Sequence, residues 1–192
     1  MTKTELRTIF REKRASLSPN EMQAKSRDIA TRFFATFDPT TIAVIDIFIP
    51  ILKLSEVDTS LIYKALWRSF PNIVTTAPRI DHVNGQLDHL AFNANTAFVE
   101  NKWGISEPVS DVRVPEIAID MTLVPLLCFD LSGHRVGYGK GFYDRFLSRC
   151  RADVRKVGLS YFEPVEQIED IDQHDVRLDD VVTPDEVYDF PN

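Results

Sequence analysis

Apolar and polar residues alternate along the chain in two rhythms, one of about three and a half residues and one that is nearly continuous. From Lys3 to Leu17, Leu6, Ile9, Phe10, Lys13 and Leu17 share helical spacing, which predicts a helix. Lys3, Arg7, Arg11 and Arg14 fall on its other faces and give it a basic, solvated side. Ser18-Pro19-Asn20-Glu21 opens a second helix, with Ser18 at the N-cap, Pro19 at the first helical position and Glu21 closing a capping box. Met22, Ile29, Phe33 and Phe37 supply its buried face.

The other rhythm predicts strands. Thr41 to Ile49 is almost continuously apolar, as in a central strand covered on both faces, and Pro50 stops it. A helix follows from Ser60 to Phe70, with Asp58 or Thr59 as its N-cap. Ile73 to Ala77 reads as a strand ended by Pro78. Asn84-Gly85 inside Ile80 to Phe92 is a hairpin turn signal. Ile117 to Phe129 is an apolar strand with Pro125 near its end, Phe142 to Cys150 is helical, Val154 to Leu159 is another strand, and Val181 to Thr183 is the last. Helices interleaved with apolar strands predict an α/β fold: one domain, a mostly parallel sheet and helices on both faces.

Four of the seven glycines, Gly133, Gly137, Gly139 and Gly141, lie between the Ile117 strand and the Phe142 helix. Backbone freedom concentrated at a strand-to-helix connection lets successive N–H groups face one concavity, a common way to hold phosphate. Arg135 and Lys140 add cationic charge there, the first able to grip an anion bidentately and the second a mobile point charge. Asp144 suits this anionic setting only with a cation between, so it reads as a Mg²⁺ ligand. The run is neither a Walker A loop, since Gly141 follows Lys140, nor a dinucleotide fingerprint, since Phe142 replaces the third glycine. Without further information a plain glycine-rich turn with a surface Arg/Lys pair is the competing reading.

Composition narrows the setting. At 192 residues with 44% apolar content the chain suits one α/β domain and not disorder. No apolar run approaches the length of a membrane span, and the N-terminus has no signal-peptide core. Two cysteines, Cys128 and Cys150, make a disulfide framework improbable, and cytoplasmic residence is the default. Residues 163–192 carry a net −10 of the total −7, which leaves the remainder basic. That suits small anionic ligands, while the absence of a domain-wide basic face speaks against nucleic acid. The four histidines lack metal-like spacing.

The run Arg135-Val136-Gly137-Tyr138-Gly139-Lys140-Gly141-Phe142-Tyr143-Asp144-Arg145, preceded by Phe129-Asp130 and Gly133, resembles the signature of the 5-formyltetrahydrofolate cyclo-ligases. Phe142 stands where that family usually carries tyrosine. Two shorter stretches agree with it: Lys3-Thr4-Glu5-Leu6-Arg7 resembles the family's N-terminal ATP-binding segment, and Lys102-Trp103-Gly104-Ile105-Ser106-Glu107-Pro108 its aromatic-Gly-Ile segment. The resemblance implies a Rossmann-like arrangement shared with sugar-phosphate isomerases and CoA transferases. It implies ATP-dependent closure of 5-formyltetrahydrofolate to the 5,10-methenyl form, with ADP and phosphate as products.

By the same resemblance, Lys3, Thr4, Glu5, Leu6 and Arg7 contact ATP together with Arg135, Val136, Gly137, Tyr138, Gly139, Lys140, Gly141, Phe142 and Tyr143. Ile51, Glu56 and Trp103 contact folate with Tyr138, Gly139, Lys140, Gly141 and Phe142. Glu56 also follows a strand's carboxyl end, the usual ligand edge of such sheets. Trp103 equally suits a place in the core, and Arg79 reads as an edge charge or a contact to ligand anions. Asp175 is implied as a second Mg²⁺ carboxylate beside Asp144, and Lys140 and Arg135 as the groups that stabilise the transferring phosphoryl. A monomer is expected, with no membrane partner. Two other readings remain: a different small-molecule phosphotransferase using the same loop, and a non-catalytic nucleotide- or folate-binding module.

Overall fold

A computed structural model describes residues 1–81, 84–101 and 104–191. Helix α1, Lys3–Ala15, starts at a capping box in which Thr2 and Glu5 satisfy each other's backbone N–H groups. Helix α2, Pro19–Thr36, starts in the same way at Ser18 and Glu21, as its sequence predicts. Strand β1, Val44–Ile47, is shorter than the apolar run around it. Helix α3, Ser60–Ser69, follows with Thr59 at the N-cap position; the Thr59 hydroxyl donates to the Phe48 carbonyl instead of capping, and the Asp58 carboxylate accepts from the Ser60 N–H at 3.0 Å.

Strand β2, Val74–Asp81, runs through Pro78 instead of ending before it, and pairs antiparallel with β3, Gln86–Phe92. Beyond Thr76 the opposite edge of β2 has no β1 residue to pair with. A proline is tolerated on such an open edge. Ile80, whose N–H points to the same side as position 78, accordingly donates to the Glu107 carboxylate at 3.2 Å. The hairpin signalled by Asn84-Gly85 is present, with Gly85 at φ 64°.

Strands β4, Phe98–Glu100, and β5, Ser106–Pro108, form a small separate ribbon. The long apolar run from Ile117 divides at its proline: β6 spans Met121–Pro125, and Cys128–Phe129 (β7) turns away to pair with Arg135–Val136 (β8). The glycine stretch is therefore not one strand-to-helix connection. Gly133, at φ 82°, sits in the β7–β8 turn with Phe190 and the Leu178 carbonyl against it, and serves that turn rather than a ligand. Helix α4, Phe142–Leu147, then leads to β9, Arg155–Leu159, β10, Asp180–Val182, and β11, Val187–Asp189. The last of these extends the chain one strand beyond the expected end, because Thr183 builds a side-chain turn, its hydroxyl accepting from the Asp185 and Glu186 N–H groups.

The main sheet has seven strands in the order β11-β10-β9-β6-β1-β2-β3, parallel in its interior with an antiparallel strand at each edge. Adjacent residues on its strands face opposite sides. Ile45, Ile47, Leu123 and Val182 pack with Ile29 and Phe33 of α2 and Ile62 and Leu66 of α3. Val124 and Val181 pack with Phe146 and Leu147 of α4 on the other side. Helix α1 lies off the sheet, with Leu6 and Phe10 against Leu127, Cys128 and Val136 around the β7–β8 ribbon. None of the described helices is long and apolar enough to cross a membrane.

Gly158 marks where the central strands are tightest. A Cβ there would lie 2.6 Å from Leu126, 2.7 Å from Leu178 and 2.9 Å from Val181 side-chain atoms. Gly158→Ala is expected to lower stability by roughly 1–3 kcal/mol through overpacking. Urea unfolding of the two proteins, compared by midpoint at equal slope, measures the loss.

Candidate active site

β1 and β6 are parallel, so their carboxyl ends share one edge of the sheet. The chain leaving β1 (Phe48, Ile49, Ile51, Glu56), the end of β6 (Pro125) and the glycine loop line a cavity of about 920 Å³. Helix α1 overhangs it with Lys3, Arg7 and Arg11. Seven cationic side chains (Lys3, Arg7, Arg11, Lys53, Arg135, Lys140, Arg145) outnumber five carboxylates (Glu56, Glu107, Asp144, Asp172, Asp175) on its lining, which favours an anionic occupant.

The glycine loop is held from both sides. Arg7 Nε donates to the Gly137 carbonyl at 3.0 Å, and Arg145 donates to that of Lys140 at 3.2 Å. Gly139 and Gly141 require the left-handed region, at φ 86° and 65°. Gly137 does not, and a Cβ built on it meets no atom within 4 Å. The fold leaves that glycine unexplained, whereas close approach of a ligand to the backbone would account for it. Lys140 is exposed and makes no ion pair with any described residue, so its ammonium is free to meet an anion.

The two proposed metal carboxylates both line the cavity, each already neutralised. Asp144 accepts from Arg135 at 2.6 Å and from the Val176 N–H at 3.2 Å. Asp175 is paired with Lys3 and accepts from the Asp172 N–H at 2.7 Å. Burial raises the pKa of Asp175, but the hydrogen bonds from Lys3 and Asp172 outweigh it and hold the carboxyl below its ordinary range. The Arg135 guanidinium is buried and divides its donors between Asp144 and the Val176 carbonyl. No group of three His, Cys, Asp or Glu side chains able to hold a metal occurs among the described residues. Two carboxylates completed by phosphate oxygens and water nevertheless fit Mg²⁺, which keeps much of its hydration.

Glu56 is buried, and Tyr138 donates to its Oε1 at 2.5 Å while the Ile51 N–H donates to Oε2 at 2.7 Å. Burial raises its pKa, against the lowering by Tyr138, Ile51 and Arg14. Arg14 corrects the sequence reading: it is 3% exposed, not on a solvated face. Its position follows Leu6 and Phe10 at intervals of four, which places all three on the helix's buried stripe. Its guanidinium donates to the Tyr138 hydroxyl at 2.8 Å and to the Leu126 carbonyl at 2.5 Å.

The other expected site residues divide. Ile51, Tyr138, Phe142 and Tyr143 line the cavity. Thr4, Glu5, Leu6 and Val136 do not: Leu6 and Val136 lie in the core under α1, and Glu5 is engaged in the capping box. Trp103 lies outside the described residues, while Ile105 and Glu107 of the same segment reach the lining. The Tyr143 hydroxyl is buried without a partner among the described residues.

A sequence model of the 5-formyltetrahydrofolate cyclo-ligase family matches residues 1–184. The chain is 29% identical over 187 residues to the 5-formyltetrahydrofolate cyclo-ligase of Escherichia coli, covering 95% of this chain and 100% of the relative. It is 26% identical over 188 residues to that of Mus musculus, covering 92% and 91%. Among solved structures, the 5,10-methenyltetrahydrofolate synthetase of Aquifex aeolicus superposes with a TM-score of 0.85 at 27% identity, over 100% of this chain and 94% of that one.

Gly137→Ala tests whether the open space beside the loop is filled by ligand. The variant is expected to melt with the parent protein yet bind ATP about tenfold or more weakly, since an added Cβ blocks close backbone approach. Calorimetric titration with ATP decides it, and parental affinity would place the nucleotide away from Gly137.

Proposed function

The chain belongs to the 5-formyltetrahydrofolate cyclo-ligase family, and on that premise we propose that its cavity performs the ATP-driven closure of 5-formyltetrahydrofolate to 5,10-methenyltetrahydrofolate. The observation that carries this reading is the 2.5 Å hydrogen bond from Tyr138, within the glycine loop, to Glu56, on the chain leaving β1. It puts a buried carboxylate suited to the amino-pyrimidine of a pterin against a backbone loop suited to phosphates. Folate and nucleotide thus occupy adjoining parts of one cavity.

A formyl oxygen on nitrogen is a poor leaving group. In the proposed reaction it attacks the γ-phosphorus of ATP and ADP departs. The nearby N10 nitrogen then adds to the activated carbon and loses its proton, and the C–O bond breaks to release phosphate. No protein nucleophile is needed, and the chain's work is positioning and charge stabilisation. Lys140, exposed and paired with no described residue, moves with the transferring phosphoryl group. Lys3, Arg7 and the free donors of Arg135 bind the remaining phosphate oxygens. Glu56 accepts hydrogen bonds from the pterin and fixes the formyl group toward the phosphates, beside Ile51. Asp144 and Asp175 would hold Mg²⁺, which when bound supplies charge neutralisation on the nucleotide.

Two variants test the division of labour by following methenyl product. Lys140→Met is expected to lower kcat by about 10²–10³, with less effect on ATP affinity, as for a group acting mainly in the transition state. Full turnover at saturating ATP would remove Lys140 from the chemistry. Glu56→Gln is expected to raise the folate KM about ten- to a hundredfold, on the scale of one charge-assisted hydrogen bond, and to leave the ATP KM near its parental value. An unchanged folate KM would place the pterin elsewhere.

A further inference from the structure

Arg14 has no part in the scheme above, yet its side chain ties together the segments that form the cavity. It reaches the Tyr138 hydroxyl of the glycine loop at 2.8 Å, the carbonyl of Leu126 beside Pro125 at 2.5 Å, and the Leu54 carbonyl before Glu56 at 3.5 Å. All three belong to, or adjoin, lining residues. Stability does not explain the residue. Its Nε is buried without a partner among the described residues, and burying a charge with a donor left unmade is unfavourable compared with an apolar side chain of similar size. Leu6 and Phe10 already anchor the same helical stripe.

The direction of its hydrogen bonds supplies a role. A guanidinium only donates, so the Tyr138 oxygen must accept from Arg14. The hydroxyl proton is then directed to Glu56 Oε1, 2.5 Å away, while the Ile51 N–H occupies Oε2. With both oxygens engaged by donors, the carboxylate is fixed in orientation and favoured in its ionised form. We propose that Arg14 is a positioning residue which, through Tyr138, holds Glu56 ionised and oriented to accept the N–H groups of the folate. This rests on the reading that Glu56 contacts folate.

The groups that face Glu56 are Arg14 from α1, Tyr138 from the glycine loop, Tyr143 from α4 and Tyr161 from the segment after β9. Arg14 is the cation in this set. Burial pushes the Glu56 pKa up and Arg14 opposes it, so removing the guanidinium raises that pKa further. If binding needs the ionised form, affinity is lost as pH falls through the raised value and recovered above it.

The test is 5-formyltetrahydrofolate affinity by titration calorimetry followed across pH, from the acidic to the basic side of neutrality. Arg14→Gln is expected to bind about tenfold or more weakly than the parent at the acidic end and to approach it at the basic end. Arg14→Lys, which keeps the charge, should retain the parental pH profile. Glu56→Gln should bind weakly with no such recovery at high pH. A constant offset or no change for Arg14→Gln overturns the proposal, because a merely structural defect has no reason to heal with rising pH. Parental affinity for Glu56→Gln instead defeats the reading of Glu56 as a folate contact, and the proposal with it. If Arg14→Gln does not fold, Tyr138→Phe carries the same test. It removes the hydroxyl relay, and its affinity must likewise rise with pH relative to the parent or the proposal fails.

Discussion

The Tyr138–Glu56 hydrogen bond is the constraint on which the site depends, because it joins two loops separated by 82 positions in sequence. It can form only if the chain leaving β1 and the loop leaving β8 meet at the same edge of the sheet. The parallel pairing of β1 with β6 sets that edge, and the short ribbon of β7 and β8 turns the glycine loop back over it. Helix α1 closes the arrangement from above through Arg7, on the Gly137 carbonyl, and Arg14, on Tyr138. A helix that contributes nothing to the sheet faces thus contributes much to the cavity.

Charge is distributed in the cavity by the same logic. Arg135 with Asp144 and Lys3 with Asp175 make two ion pairs on the lining, differing in exposure. The Arg135 side chain is 5% exposed and also bonds a backbone carbonyl. Breaking that pair would leave a buried charge, so it is the less exchangeable of the two. Lys3 is somewhat more open, on the first turn of α1, and Lys140 is exposed and unpaired among the described residues. The three cations therefore form a gradient from fixed to mobile, which suits a ligand whose terminal phosphoryl must move while the rest stays bound.

Much of this was legible in the chain. The Ser18–Glu21 capping box, the Asn84-Gly85 hairpin and the strand at Val154 to Leu159 each followed from local chemistry that the tertiary structure leaves intact. Most of the misreadings share a cause: the residue's role was decided by neighbours remote in sequence. Pro78 stays within β2 because β1 has already ended beside it. Pro125 divides an apolar run that periodicity alone joins. Gly133 was grouped with the ligand glycines by proximity in sequence, but Phe190 and Leu178, from the far end of the chain, enclose it. Arg14 had a local signal, its spacing from Leu6 and Phe10, which its charge concealed. The cavity's glycine loop was read from its own glycines and cations, and Lys3, Arg7, Ile51 and Glu56 from the resemblance; the structure brings them to one lining.

What holds these loops at a usable distance is strand register, and the sheet interior fixes it with polar groups. Asp46, fully buried on β1, accepts from Thr76 of β2 at 2.8 Å, pairs with His89 of β3 at 2.7 Å, and lies 3.5 Å from the Thr122 hydroxyl of β6. Slipping β1 by one residue would send this carboxylate into the apolar layer of α2 and α3 and bring Ile45 or Ile47 to the α4 side. A slip of two keeps the faces but separates Asp46 from its partners, a heavy penalty for a buried polar group. It would also shift the chain beyond Ile47 by roughly 6–7 Å, two strand residues' rise. Glu56 would then leave Tyr138, since a hydrogen bond does not survive beyond about 3.5 Å. The buried network in the sheet and the buried network in the cavity are accordingly coupled through one short strand, and the geometry of the site is inherited from the polar centre of the fold.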